Sequence, residues 1–159
     1  MFTKKDLLDF LFKAHKNTYV APKEVKSKNK VDSISVGHKD YEFSEGDWKY
    51  HDSYAGWYWP PGKEIVYYKN EPVWCMSYQG KVKEDLEKEL IEEIYSFLKE
   101  ALRHTTQEMP FRGPISYSND NFEYLFYMDG NWEYFVGKEI ISYKGEEVFF
   151  QDIMGSLIK

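Results

Sequence analysis

Cys75 is the only cysteine in 159 residues, so no disulfide can form within the chain and no cysteine-based zinc cluster can be built. Basic charge is also short: 21 Lys and Arg stand against 27 Asp and Glu, a net charge of −6, and only two of the bases are arginine. A protein that neutralises many phosphates is basic at least regionally, so nucleic acid is not expected as a direct partner. No apolar run approaches the ~18 residues that a membrane-spanning helix needs, so no membrane association is expected. The N-terminal Met-Phe-Thr-Lys-Lys-Asp is charged rather than an apolar leader. With the single cysteine, this gives a cytoplasmic expectation. Gly-x-Ser-x-Gly, P-loop and dinucleotide fingerprints are all missing, and the four histidines lack ligand spacing. No cofactor, no metal site and no catalytic residue is therefore assigned.

What the chain does have is aromatic residues: 14 Tyr, 11 Phe and 5 Trp. So many large rings among 30% charged residues describe a globular β-rich domain with a charged surface, not a disordered segment.

The strongest internal signal is a repeat. Gly62-Lys-Glu-Ile-Val-Tyr-Tyr-Lys-Asn-Glu71 returns as Gly137-Lys-Glu-Ile-Ile-Ser-Tyr-Lys-Gly-Glu146, identical at seven of ten positions. The 75-residue offset also pairs Trp57 with Trp132, Trp59 with Tyr134, Trp74 with Phe149 and Gly80 with Gly155. A one-residue slip upstream pairs Tyr50 with Tyr124 and Gly56 with Gly130. Each block is preceded by an amphipathic helix. The first covers residues 4–15, with Thr3 and Asp6 forming a capping box. The second covers 84–103, with Leu86, Leu90, Ile94, Phe97, Leu98, Ala101 and Leu102 on one stripe and three acids in the first turn.

The expectation is an α+β fold: one domain over 1–159, with repeats over 4–82 and 84–158. Each unit is a helix followed by antiparallel strands. The joined sheet is packed by the two main helices about a pseudo-twofold axis. Lys69-Asn-Glu71, Asp129-Gly130 and Lys144-Gly145 read as hairpin turns, and Trp132–Val136 and Glu139–Tyr143 as separate strands. Lys23, Lys26, Lys28 and Lys30 read as a solvated, flexible loop, and Cys75 as a buried thiol with a raised pKa.

The order and spacing of several motifs carry a family resemblance. They are Phe12-Lys-Ala14, Thr18-Tyr19, Glu45-Gly-Asp47, Asp52-Ser-Tyr54, Gly62-Lys-Glu64, Pro72-Val-Trp74, Met76-Ser-Tyr78, Pro110-Phe-Arg-Gly-Pro114 and the closing Gly137, Glu139, Tyr143 and Gly155. The chain resembles a small prokaryotic domain of unknown function (family 5680), found alone or C-terminal to XRE-type helix-turn-helix domains. That resemblance brings no catalytic residue; it implies a sensing or interaction role beside regulators. Val20 and Trp57 stand where the family tends to have glycine.

The residues chosen for ligand binding are Tyr54, Trp57, Tyr58, Trp59, Tyr78 and Arg112. Three rings before Pro60-Pro61 cannot all point inward from an extended segment, and an arginine between prolines presents a fixed fork. Core insertion of Trp57 and Trp59, and a structural ion pair for Arg112, are the competing expectations. Glu64 and Glu139 occupy equivalent positions, which favours a structural task such as capping a turn or pairing with Lys63 and Lys138. The functional expectation is a binding or sensing module for a small molecule or protein, with homodimerisation as one option. The alternative is a small hydrolase or phosphoesterase that uses carboxylates or the pairs His51-Asp-Ser53 and His104-Thr-Thr106.

Overall fold

The computed structural model describes residues 1–159. Nine strands form one antiparallel open sheet, accompanied by three helices. In chain order the helices are α1 (Lys4–Asn17), α2 (Lys23–Lys28) and α3 (Lys88–Leu102). The strands are β1 (Lys30–Val31), β2 (His38–Glu45), β3 (Trp48–Ala55), β4 (Gly62–Tyr68), β5 (Glu71–Val82), β6 (Ser116–Ser118), β7 (Phe122–Asn131), β8 (Tyr134–Tyr143) and β9 (Glu146–Leu157). Their spatial order is β1-β2-β3-β4-β5-β9-β8-β7-β6, so β5 and β9 meet at the centre and the shortest strands form the edges.

Alternation sorts the strand residues onto two faces. Trp74, Met76 and Tyr78 of β5, Tyr124 and Phe126 of β7, and Phe149, Gln151 and Ile153 of β9 point to the covered face and are buried. Leu7, Leu8, Phe10 and Leu11 of α1 and Ile91, Ile94, Phe97 and Leu98 of α3 join them in one hydrophobic cluster. The other face has no helix across most of its width, and Tyr127, Val136 and Met154 stand exposed on it. Cys75 has the opposite parity to Trp74, so it lies half-buried on this open face rather than in the core.

α1 begins where its capping box places it: Thr3 accepts from the Asp6 backbone, and Asp6 accepts from the Thr3 backbone at 2.8 Å. α3 starts four residues later than the acid-rich segment implies, leaving only Glu89 in its first turn. Asp85 has φ 63°, which interrupts any helix through Glu84–Glu87. The lysine segment forms the short helix α2, not a loop, and Lys26 is half-buried there with its ammonium over the Tyr19 and Tyr41 rings. Asp129 and Gly130 do not form a hairpin turn: they pair with Val136 and Phe135 inside the β7–β8 ladder, and the chain reverses at Trp132-Glu133. β8 is one continuous strand. Gly137 does not break it, because the residue pairs in register with Met128 and Ile153. Lys69 and Asn70 both have positive φ, as do Lys144 and Gly145, the twist that a two-residue hairpin turn needs.

The connector between α3 and β6 carries polar and Pro/Gly residues, yet its middle turns inward. Phe111 is buried, 5.0 Å from Phe135 and 6.0 Å from Trp74 by ring centroids. That anchor carries the next residue, Arg112, to the middle of the covered face.

Candidate functional site

Four strands on either side of β5 contribute buried polar side chains to one cluster on the covered face: Asp52 from β3, Glu64 from β4, Glu139 from β8 and Gln151 from β9. Arg112 supplies the compensating charge. Its Nε and Nη2 donate to the two oxygens of Glu139 at 3.1 and 3.0 Å, a bidentate pair, and its Nη1 stands 3.8 Å from Glu64. Glu139 is fully buried and also accepts from the Tyr124 hydroxyl at 2.6 Å and the Gln151 amide at 3.0 Å. His15, at the end of α1, places Nε2 2.8 Å from the other Glu64 oxygen. Glu64 and Glu139 thus share one arginine. They do not pair with Lys63 and Lys138, which alternation sends to the open face, where Lys138 meets Asp152 at 3.3 Å.

Asp52 lies directly across from Glu64 in the β3–β4 register. Burial, then the neighbouring Glu64 charge, pushes its carboxyl up to about 7, and a hydrogen bond from the Tyr78 hydroxyl at 2.9 Å opposes the rise. The Tyr50 hydroxyl is buried beside this pair with no hydrogen-bond partner. Gly62 has Tyr78 as its register partner, and a Cβ at Gly62 would lie 2.2 Å from the Tyr78 ring, so only glycine leaves that ring in place.

A narrow pocket of about 190 Å³ reaches this cluster from the surface. Its floor is Glu64, Tyr78, Arg112 and Gln151; Tyr19, Tyr54, Tyr95 and Leu98 form its walls. Lys39, Gly56, Trp57, Pro60 and Lys99 frame its mouth. The turn at Gly56, φ 78°, and the segment to Pro61 bring the aromatic loop towards α3, where the Tyr95 hydroxyl holds the Tyr58 carbonyl at 2.7 Å. A larger depression of about 840 Å³ lies on the open face, lined by Ser77, Gln79, Tyr127, Val136, Lys138 and Met154 among others. It is a broad trough without buried charge, so the smaller pocket holds the more specific chemistry.

Of the six residues chosen from sequence, Tyr54, Trp57, Tyr78 and Arg112 line this one pocket. Tyr58 and Trp59 do not; Trp59 is 49% exposed, with Lys81 over its ring. Neither Trp57 nor Trp59 enters the core. Arg112 makes the structural ion pair and also lines the pocket. Tyr19, Lys39, Glu64, Tyr95, Lys99 and Gln151 were not picked out as ligand residues. Gln151 had a readable signal, since it is polar where the first repeat has Met76 on the buried face. Lys39, Tyr95 and Lys99 had none.

The structure does not bring His51 and His104 together. His104 follows α3 and stacks on Tyr117 at 4.4 Å. His51 lies on the open face, with Nε2 2.9 Å from Asp40. Asp40 also accepts from Ser53 and Ser33, each at 2.8 Å, and Ser53 contacts His38 at 2.9 Å. Burial pushes the Asp40 carboxyl up, but these hydrogen bonds outweigh it and hold it below the usual range. The network ties residues 33–38 to the sheet. No group of three or more His, Cys, Asp and Glu residues is arranged to hold a metal ion, and no helix is long and apolar enough to cross a membrane.

Fold and site together define a strand-dominated α+β domain with a charged cluster under an aromatic pocket. The family described as Domain of unknown function (DUF5680) matches residues 52–158, and the chain belongs to it. The matched span includes β4 to β9, the aromatic loop, α3 and Arg112; α1 and β2 lie outside it. No curated protein and no solved structure matches the chain.

Proposed function

We propose that this protein is a cytoplasmic binding and sensing module, one that recognises a small molecule in the pocket between the aromatic loop and α3. One observation carries the reading. A narrow, tyrosine-walled pocket ends on buried Glu64, Arg112 and Gln151, the combination of ring-lined wall and few fixed polar groups typical of ligand sites. Regulatory use beside a DNA-binding partner is part of the proposal, while direct nucleic-acid contact is not.

The proposal includes a duplicated origin with pseudo-twofold symmetry. Several coincidences support it. At the sheet centre Tyr78 pairs with Ile153, its own equivalent 75 residues on. The register breaks between Val66 and Tyr67 and again between Ile141 and Ser142, the same step in both copies. Against that background the pocket is asymmetric: Asp52 stands where the second copy has Phe126, and Gln151 where the first has Met76. The duplicated unit supplies the scaffold, and these departures supply the site.

A thermal-shift screen of metabolites, nucleotides and sugars tests the reading. At least one chemical class should raise Tm by several degrees. Lys99→Trp fills the mouth from a half-exposed helix position and should abolish the shift; Trp57→Ala, which removes a wall, should weaken it. Shifts that survive both variants would place binding elsewhere, and a screen without any shift would count against the small-molecule reading.

A further inference from the structure

Three lysines converge near the pocket mouth: Lys39 and Lys99 line it, and Lys26 shares the Tyr19 and Tyr54 rings with them. Lys26 Nζ lies 4.8 and 4.5 Å from the ring centroids of Tyr19 and Tyr41. Lys39 Nζ is 5.8 Å from Tyr54 and Lys99 Nζ 6.0 Å from Tyr19. None of the three has a carboxylate within 4.0 Å, and Lys26 and Lys99 are half-buried, whereas other lysines without one, such as Lys16, Lys63 and Lys144, are exposed. Lys26 reaches only the Tyr19 carbonyl, at 3.5 Å. An acidic protein of net charge −6 has thus left three ammonium groups unneutralised at one place. Their mutual cost is visible: burial, then the Lys99 charge, lowers the Lys26 ammonium to about 8. A bound anion would relieve that cost, and tyrosine faces hold the ammonium groups in position for it.

The inner end has a second requirement. Arg112 is buried and lines the floor, and its Nη1 makes no hydrogen bond; the Glu64 carboxylate stands 3.8 Å away. A donor and an acceptor side by side suit a hydroxyl, which can satisfy both. Between floor and mouth, about 190 Å³ is little more than the ~150 Å³ of a cavity that holds benzene. We propose that the pocket takes a ring-sized organic anion, with a carboxylate or phosphate monoester at Lys26, Lys39 and Lys99 and a hydroxyl at Arg112 and Glu64. This rests on the pocket reading above and adds the ligand class.

Isothermal titration of the full chain at low salt tests it with three probes: 4-hydroxybenzoate, 4-hydroxyphenyl phosphate and the uncharged 4-hydroxybenzamide. The acids should bind, and the amide should bind at least about tenfold more weakly. Added salt should weaken the acids and leave the amide unchanged. Lys99→Gln and Lys26→Gln should each weaken the acids several-fold; Lys138→Gln on the open face should change nothing. The stronger of the two acids tells carboxylate from phosphate. An amide that binds as well as the acids, or lysine variants without effect, would overturn the anion class and leave the pocket reading standing. The same holds if neither acid binds while another compound binds and is lost in Lys99→Trp. Acid binding that survives Lys99→Trp, or the absence of binding by any compound, would overturn both.

Discussion

Asp52 is the residue with the clearest pH signature. Its carboxyl titrates near 3.8 when unperturbed and is pushed up to about 7 in the fold, chiefly by burial. The folded state therefore keeps a proton that the unfolded chain releases, and stability falls as pH rises from about 4 to about 7. Above that range the fold must hold the carboxylate charge beside Glu64. Asp52→Asn keeps the shape and removes the proton, so its stability over this window should vary less with pH than that of the natural chain. Urea denaturation at half-unit pH steps measures this, and identical slopes would show that Asp52 does not titrate as described. Asp40 acts in the opposite sense: its lowered carboxyl contributes stability at neutral pH that is lost as pH falls through the acid range.

At the level of elements, the decisive contact is the one the inward-turning connector makes with the sheet. Arg112 joins the connector to β8 through Glu139 and approaches β4 through Glu64. Breaking a buried ion pair by removing one partner leaves the other uncompensated and costs about 3–5 kcal/mol. Glu139→Ala should lose stability on that scale, with faster amide exchange in residues 105–115. A loss below about 1 kcal/mol, the usual limit for exposed pairs, would mean the cluster is wetter than its burial implies.

The same connector marks the limit of sequence reading. Local signals placed α1, the turns at Lys69-Asn70 and Lys144-Gly145 and most of α3, because caps, turns and apolar periodicity are short-range, but they set the β7–β8 turn too early. Phe111 and Arg112 sit in a stretch whose composition resembles a surface loop, and only the tertiary contact with Trp74 and Phe135 turns it inward. Tyr54, Trp57, Tyr78 and Arg112 were legible as binding residues because they lie in or near unusual local sequence. Tyr95 and Lys99 look like ordinary members of an amphipathic helix, and their meeting with the aromatic loop depends on how α3 crosses the sheet.

Across the whole molecule, one hydrophobic cluster runs from α1 through the central β5–β9 pair to β7 and β8. Neither repeat keeps a separate interior, so the two should unfold together. Tryptophan fluorescence reports mostly on the first repeat, which holds Trp48, Trp57, Trp59 and Trp74, and far-ultraviolet circular dichroism reports on both. The two denaturation curves should coincide, as for a two-state domain. A separated second transition would show that the repeats fold independently.

The sheet's edges carry a further consequence. β1 has two residues and β6 three, so each covers only part of its neighbour, and residues 127–131 of β7 pair with β8 alone. That uncovered stretch of β7, rather than either short outer strand, is the place for another strand to add to the sheet. The open face carrying Tyr127, Val136 and Met154 presents side chains instead, so a contact made there would leave the sheet at nine strands.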